Sequence, residues 1–294
     1  MKLTKDFRMV AVTVTPFDSN ENAIIDEIKK QTEEICSSEA DAILPVASTG
    51  DYVKMDLDQR LEVFSAVAEV NRGRKKLIAS ACDTSATRVL KTISAVKKMG
   101  YDACLVCPPY YYPLTQDAVY DFFKTVCEGA GDFAVIGYHV PFFTTGIDIS
   151  TFEKLLDIPN FVGMKDSSAV MKRIAHLCEI VSKKRPDFAV YTGTDDCLFP
   201  ALCAGCFGSM TALAATMPEQ IRAIYNAFDN RDIDTAMRIN QSILPIIRQC
   251  DSLTFPIGYK LLAKAKGLET CEGNTPAEQA VLENIRAMLG EGFN

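Results

Sequence analysis

The chain has 294 residues, 48% of them hydrophobic and 23% charged, and a formal net charge of −7. That length supplies a sizeable core, as one large domain or two smaller ones. The acidic balance speaks against nucleic acid and against an anionic membrane surface, since both call for a basic face, and no apolar run approaches the ~20 residues of a spanning helix.

At the N-terminus, "MKLTKDFRMVAVTVTPFD" carries early positive charge, but Thr13 and Thr15 interrupt its apolar stretch before Pro16 and Asp18. It lacks a small-residue cleavage site and so reads as mature protein. Its apolar part, from Met9, is the first of eight short runs rich in Val, Ile and Ala. The others are "DAILPVAS" from 41, "KLIASAC" from 76, "DACLVCPP" from 102, "FAVIGYHVP" from 133, "FVGMK" from 161, "FAVYTG" from 188 and "CFGSMTAL" from 206. They are near-continuously apolar, as expected for parallel strands covered on both faces.

Helical segments lie between them. In "DLDQRLEVFSAVAEVNRG", Asp56 is placed to cap, with Gln59 three residues on. Leu57, Leu61, Phe64 and Ala68 form the predicted buried stripe, and Gly73 follows the end. In "TSATRVLKTISAVKKMG" the stripe is Val89, Ile93 and Val96, with Lys97 and Lys98 in the last turn and Gly100 beyond. Eight strands in strict alternation with helices, and no glycine fingerprint after the first, predict an α/β fold of the (β/α)8 barrel type rather than an open doubly wound sheet. The barrel is expected over residues 1–225. Residues 226–294 show helical patterning without strands and are expected to form a C-terminal helical bundle.

Eleven cysteines, an odd number without a secretion signal, predict reduced thiols in a cytoplasmic protein. Two C-x-x-C pairs, Cys104/Cys107 and Cys203/Cys206, superficially suggest zinc. The first pair lies in a strand-like run, where an odd offset sends side chains to opposite faces. Buried structural thiols and no metal are the expectation.

A barrel does its chemistry at the C-terminal ends of its strands. The second strand ends in "STGD", with Ser48 and Thr49; the fourth in "PPYYYP"; the fifth in Tyr138 and His139. The sixth ends in Lys165, the seventh in "TGTDD", and the eighth carries Ser209 and Thr211. On the sixth, Phe161, Gly163 and Lys165 share a face by the period of two. Gly163 is expected to leave space beside the amine, while Asp166 points the other way. A lysine desolvated there has its pKa pushed down, and a neutral amine attacks carbonyls; the plain alternative is a lysine that reaches solvent or pairs with a carboxylate. Tyr138 is placed to move protons or to be a buried ring. His139, one residue on, is expected to face away. "STG" reads as a carboxylate-binding nest or an ordinary turn. Asp195 and Asp196 read as acceptors for sugar hydroxyls or as helix caps, and they argue against phosphate.

Five motifs, "STGD" at 48, "PYYYP" at 109, "GYHVP" at 137, "GMKDSS" at 163 and "GTDD" at 193, together resemble the pyruvate-dependent class I aldolases, the superfamily of dihydrodipicolinate synthase and N-acetylneuraminate lyase. The resemblance spans essentially the whole chain. It implies a barrel with a helical tail, assembled as a homotetramer built from dimers. It makes Lys165 the Schiff-base lysine, Tyr138 the proton-transfer tyrosine, and Ser48 and Thr49 the hydroxyls at the pyruvate carboxylate. Tyr111 matches the tyrosine that, in the synthases, reaches across the dimer. Met210 matches the residue whose carbonyl faces pyruvate. Gly193, Asp195, Asp196 and Thr211 complete the implied substrate-binding set. No cofactor beyond the covalent imine is implied; the partners are pyruvate and an aldehyde.

In the synthases an arginine closely follows Y-N-V-P and binds the semialdehyde carboxylate. Here "YHVPFFTTG" places Phe142 and Phe143 there. The expected activity is therefore N-acetylneuraminate lyase-like, cleaving a 2-keto-3-deoxy acid to pyruvate and an aldehyde. Dihydrodipicolinate synthase and a 2-keto sugar-acid dehydratase are the alternatives within the class. A keto-acid sensor is the non-enzymatic one.

Overall fold

The protein is described by a computed structural model over residues 5–292. In chain order the elements are β1 Met9–Val12, α1 Ile25–Ser37, β2 Ala42–Leu44, α2 Leu57–Asn71, β3 Lys76–Ser80, α3 Ala86–Lys98, β4 Ala103–Val106 and α4 Gln116–Ala130. There follow β5 Ala134–His139, α5 Ile149–Leu155, β6 Phe161–Asp166, α6 Met171–Lys184, β7 Ala189–Thr192, α7 Leu198–Cys203 and β8 Gly208–Thr211. The helices α8 Leu213–Thr216, α9 Pro218–Asp229, α10 Ile233–Asp251, α11 Ile257–Ala265 and α12 Pro276–Glu291 complete the chain.

The eight strands close into a barrel in sequence order, each neighbouring the next. This is the (β/α)8 fold that the eight apolar runs predict, followed by C-terminal helices. Strand residues are buried on both faces, which explains why the runs are apolar throughout rather than alternating. No helix among the described residues is long and apolar enough to cross a membrane.

By contacts the chain divides into two compact units. One comprises the residues up to Arg8 with Lys76–Met210. Its strands pair in parallel from β3 to β8. An aromatic group of Phe123 (α4), Phe152 (α5), Phe161 and Phe188 packs edge-on and tilted. Phe161 therefore faces the helices, and this corrects the expectation that it shares a face with Lys165. The β5–β6 register shifts between Val135, opposite Phe161, and Ile136, opposite Gly163. One extra residue in β6 inverts the alternation beyond it.

The other unit comprises Met9–Lys75 and the chain from Thr211 onward. Here β1 and β2 pair in parallel. The α2 N-terminus has the expected capping box of Asp56 and Gln59, but its buried stripe is Arg60, Val63, Phe64, Val67 and Asn71. Only Phe64 of the expected stripe is fully buried; Leu57, Leu61 and Ala68 are half-buried. Arg60 takes a core position because its Nε donates to Tyr52 O at 3.2 Å and Met55 O at 3.1 Å. In α3, which belongs to the first unit, Val89, Ile93 and Val96 are buried as expected.

Candidate active site

Lys165 ends β6 beside Tyr138 of β5, its register partner. Its Nζ stands 4.6 Å from the Tyr138 ring centroid. The lysine is 3% exposed. Desolvation draws its pKa from 10.5 down to about 8, while the nearby Cys82 and Asp195 pull upward more weakly. The amine is thus held ready to lose its proton at moderate pH.

The space beside that amine is made by Gly193, not Gly163. A Cβ on Gly163 would meet Ala189 O at 3.2 Å and the Ile136 side chain at 3.5 Å, so no open space exists there. A Cβ on Gly193 would collide with Ser167 Oγ and come within 2.7 Å of Lys165 Cε. Ser167, two residues after the lysine, therefore lies next to it. Its hydroxyl is buried without a hydrogen-bond partner, an arrangement that favours a ligand oxygen.

The other face of β6 is structural. Asp166 is fully buried. It accepts from Ser168 N at 2.9 Å and Ser168 Oγ at 2.5 Å, and from Arg173 Nε at 2.8 Å. It is not the lysine's partner, as the alternation predicts. His139 accepts from Ile147 N through Nδ1 at 2.9 Å. Burial lowers its pKa to about 4, so it is neutral near pH 7 and faces away from the amine as expected.

Asp195 and Asp196 open a short 3-10 turn whose N-cap position is Thr194, and Cys197 stands at the N-cap of α7, so neither acid occupies a cap position. Asp195 is 5% exposed and close enough to Lys165 to act on its charge. Met210 is fully buried on β8. Tyr111 is 85% exposed and holds a positive φ of 87°, so it points out of this chain.

In the other unit, Ser48 and Thr49 begin a 3-10 turn, Ser48–Gly50, after β2. Gly50 is needed there, because a Cβ would meet Thr15 Oγ1 at 3.0 Å and Thr13 O at 3.2 Å. Asp51 follows in the left-handed region and is bound by Lys260 Nζ at 3.2 Å. The Thr211 hydroxyl is buried without a partner.

Sequence reading did not single out Ser167 or Cys82. The signal for Ser167 was present, since it shares the period-two face of Lys165. Nothing local marks Cys82, whose place next to the lysine depends on barrel closure. No group of three or more metal-binding side chains occurs among the described residues.

The sequence profile of the Dihydrodipicolinate synthetase family matches residues 6–288. The chain belongs to the dihydrodipicolinate synthetase family. Its enzymes depend on pyruvate, act through a lysine Schiff base and need no separate cofactor. A 4-hydroxy-tetrahydrodipicolinate synthase of Dehalococcoides mccartyi is 30% identical over 287 residues, covering 97% of this chain and 95% of that one. One from Listeria innocua is 28% identical over 267 residues, covering 89% of each. Among solved structures, the dihydrodipicolinate synthase of Thermotoga maritima superposes with a TM-score of 0.90 at 25% identity, over 97% of this chain and 98% of that one. That of Aquifex aeolicus gives 0.88 at 25%, covering 97% of both.

Proposed function

We propose that Lys165 forms an imine with pyruvate and that the enzyme joins the derived enamine to an aldehyde. The observation that carries this is the amine itself, 3% exposed and with a pKa of about 8. Relative to an ordinary lysine, a shift of that size raises the neutral fraction about 300-fold. The amine attacks the keto carbon, and the carbinolamine loses water with a proton supplied by Tyr138. The iminium then draws electrons from the methyl carbon as Tyr138 accepts its proton, which gives the enamine nucleophile. The Ser167 hydroxyl is placed to hold an oxygen of the bound acid. Ser48 and Thr49 are assigned to the carboxylate, Gly193, Met210 and Thr211 to the rest of the site, and Tyr111 to a neighbouring subunit's site. These last assignments rest on the family resemblance, as do the homotetramer and a cytoplasmic setting.

The relatives named 4-hydroxy-tetrahydrodipicolinate synthase favour condensation over the lyase reading that the motifs suggest. One observation favours cleavage instead. Phe142 and Phe143, 71% and 54% exposed, stand where the synthases carry an arginine, and the two acids of "GTDD" suit a polyol better than a second carboxylate.

Borohydride added with pyruvate tests the imine. A reduced adduct mapped to Lys165 is expected; its absence there would remove every enzymatic reading and leave a keto-acid binder. Turnover of aspartate semialdehyde with pyruvate then supports condensation. Turnover of polyhydroxylated aldoses alone would move the assignment to the lyase.

A further inference from the structure

Two thiols meet beside the reactive lysine. The β3–β4 register sets Ser80 opposite Leu105, and Ala81 N still donates to Leu105 O at 2.9 Å. Carried two residues further, the same register sets Cys82 opposite Cys107. The Cys82 Sγ lies 3.7 Å from Leu105 O, and its thiol hydrogen-bonds with that of Cys107. Adjacent strands run ~4.8 Å apart, inside the ~4.4–6.8 Å Cα separation that a disulfide spans. Cys82 is also an electrostatic neighbour of Lys165.

Both thiols are 1% exposed, comparable with Lys165 at 3%. Burial raises the Cys82 pKa, but its interaction with Cys107 and the Lys165 charge act the other way, and the group is held below 9.0. This favours the thiolate, which is the form that reacts. Cys104, also on β4, differs: its Sγ turns to Ala134 O at 3.6 Å, and burial holds its thiol well above 9.0.

We propose that Cys82 and Cys107 form a vicinal-thiol oxidation site that shares its access with Lys165, so that a hydroperoxide links the pair and an adduct on the lysine shields it. The Cys82 thiolate attacks a peroxide oxygen, giving a sulfenic acid and, from hydrogen peroxide, water. Cys107 then attacks that sulfur, forming the S–S bond and expelling a second water. Two thiols lose two electrons and two protons, and the peroxide is reduced to two waters. The S–S bond pulls the Cys82 sulfur, a neighbour of the amine, toward Cys107. A displacement near 1 Å there is enough to slow imine formation by about a hundredfold. This last consequence rests on the imine reading of Lys165; the thiol pair itself does not.

The test treats the intact protein with hydrogen peroxide, quenches it, and reads two quantities: the Cys82–Cys107 linked peptide by mass spectrometry, and the pyruvate adduct trapped by borohydride. The linked peptide is expected, with adduct yield down about tenfold or more and restored by dithiothreitol. Protein already carrying the reduced adduct is expected to form the link at least about tenfold more slowly. In Cys82→Ala the treated-to-untreated ratio of adduct is expected to stay near one, and Cys107→Ser, closer in volume, serves as a second variant that cannot form the link. Oxidation of the exposed Cys203 without any Cys82–Cys107 link would overturn the proposal. Equal rates of linking with and without the adduct would overturn the shared access. If untreated protein traps no pyruvate, the imine reading fails, and the linked peptide alone still decides the thiol pair.

Discussion

Lys165 and Lys260 are both almost inaccessible, at 3% and 1% exposure, and they meet the cost of burial differently. Lys260 is neutralised by pairing, with Asp51 at 3.2 Å and Glu272 at 2.8 Å. Lys165 instead has its pKa drawn down to about 8 by burial, and in the proposed mechanism the neutral amine is the nucleophile. The difference has a sign in stability. Between about pH 8 and 10.5 the unfolded chain binds the Lys165 proton and the folded one does not, so this group's contribution to stability rises with pH there. Below about 8 the burial penalty is fully present. Lys165→Met is therefore expected to raise unfolding free energy in urea by about 3 kcal/mol at pH 7, with the gain shrinking as pH rises through that window. No gain at pH 7 would argue that the amine is solvated. That Lys165 lies beside Tyr138 was legible from their strand-end positions. The space beside the amine was assigned to Gly163, which Ala189 O and the Ile136 side chain crowd; the glycine that makes it, Gly193, comes at the end of the neighbouring β7, which spacing within β6 cannot show.

The turn from β6 into α6 holds the lysine in place from behind. Asp166 receives both Ser168 groups and the Arg173 guanidinium in a site where it has no exposure. Arg173→Leu leaves that carboxylate buried without its cation, and a loss of about 3 kcal/mol in urea unfolding is expected. The double variant Asp166→Asn with Arg173→Leu is expected to lose less than the sum of the two single changes. Additive losses would mean that the pair is not coupled. In α2 the capping box was readable because Asp56 and Gln59 act on their own backbone. Its buried face was not readable, since Arg60 and Asn71 take core positions by donating to carbonyls at 3.2 Å in Tyr52 and 2.9 Å in Lys75. An apolar-stripe rule cannot anticipate polar residues satisfied in this way.

The barrel as a whole was legible because parallel strands buried on both faces give short, continuously apolar runs, and eight of them alternate with helices. The choice of aldehyde was less legible. It depends on side chains from loops distant in sequence, and motif similarity pointed to the lyases while the relatives are synthases. The chemistry common to both readings is the neutral amine of Lys165. Its most direct test is the pH dependence of pyruvate adduct formation at Lys165, measured by rapid borohydride trapping. The rate is expected to rise with pH through a midpoint near the lysine pKa of about 8 and then level off. A midpoint near 10.5, or an adduct at another lysine, would contradict it.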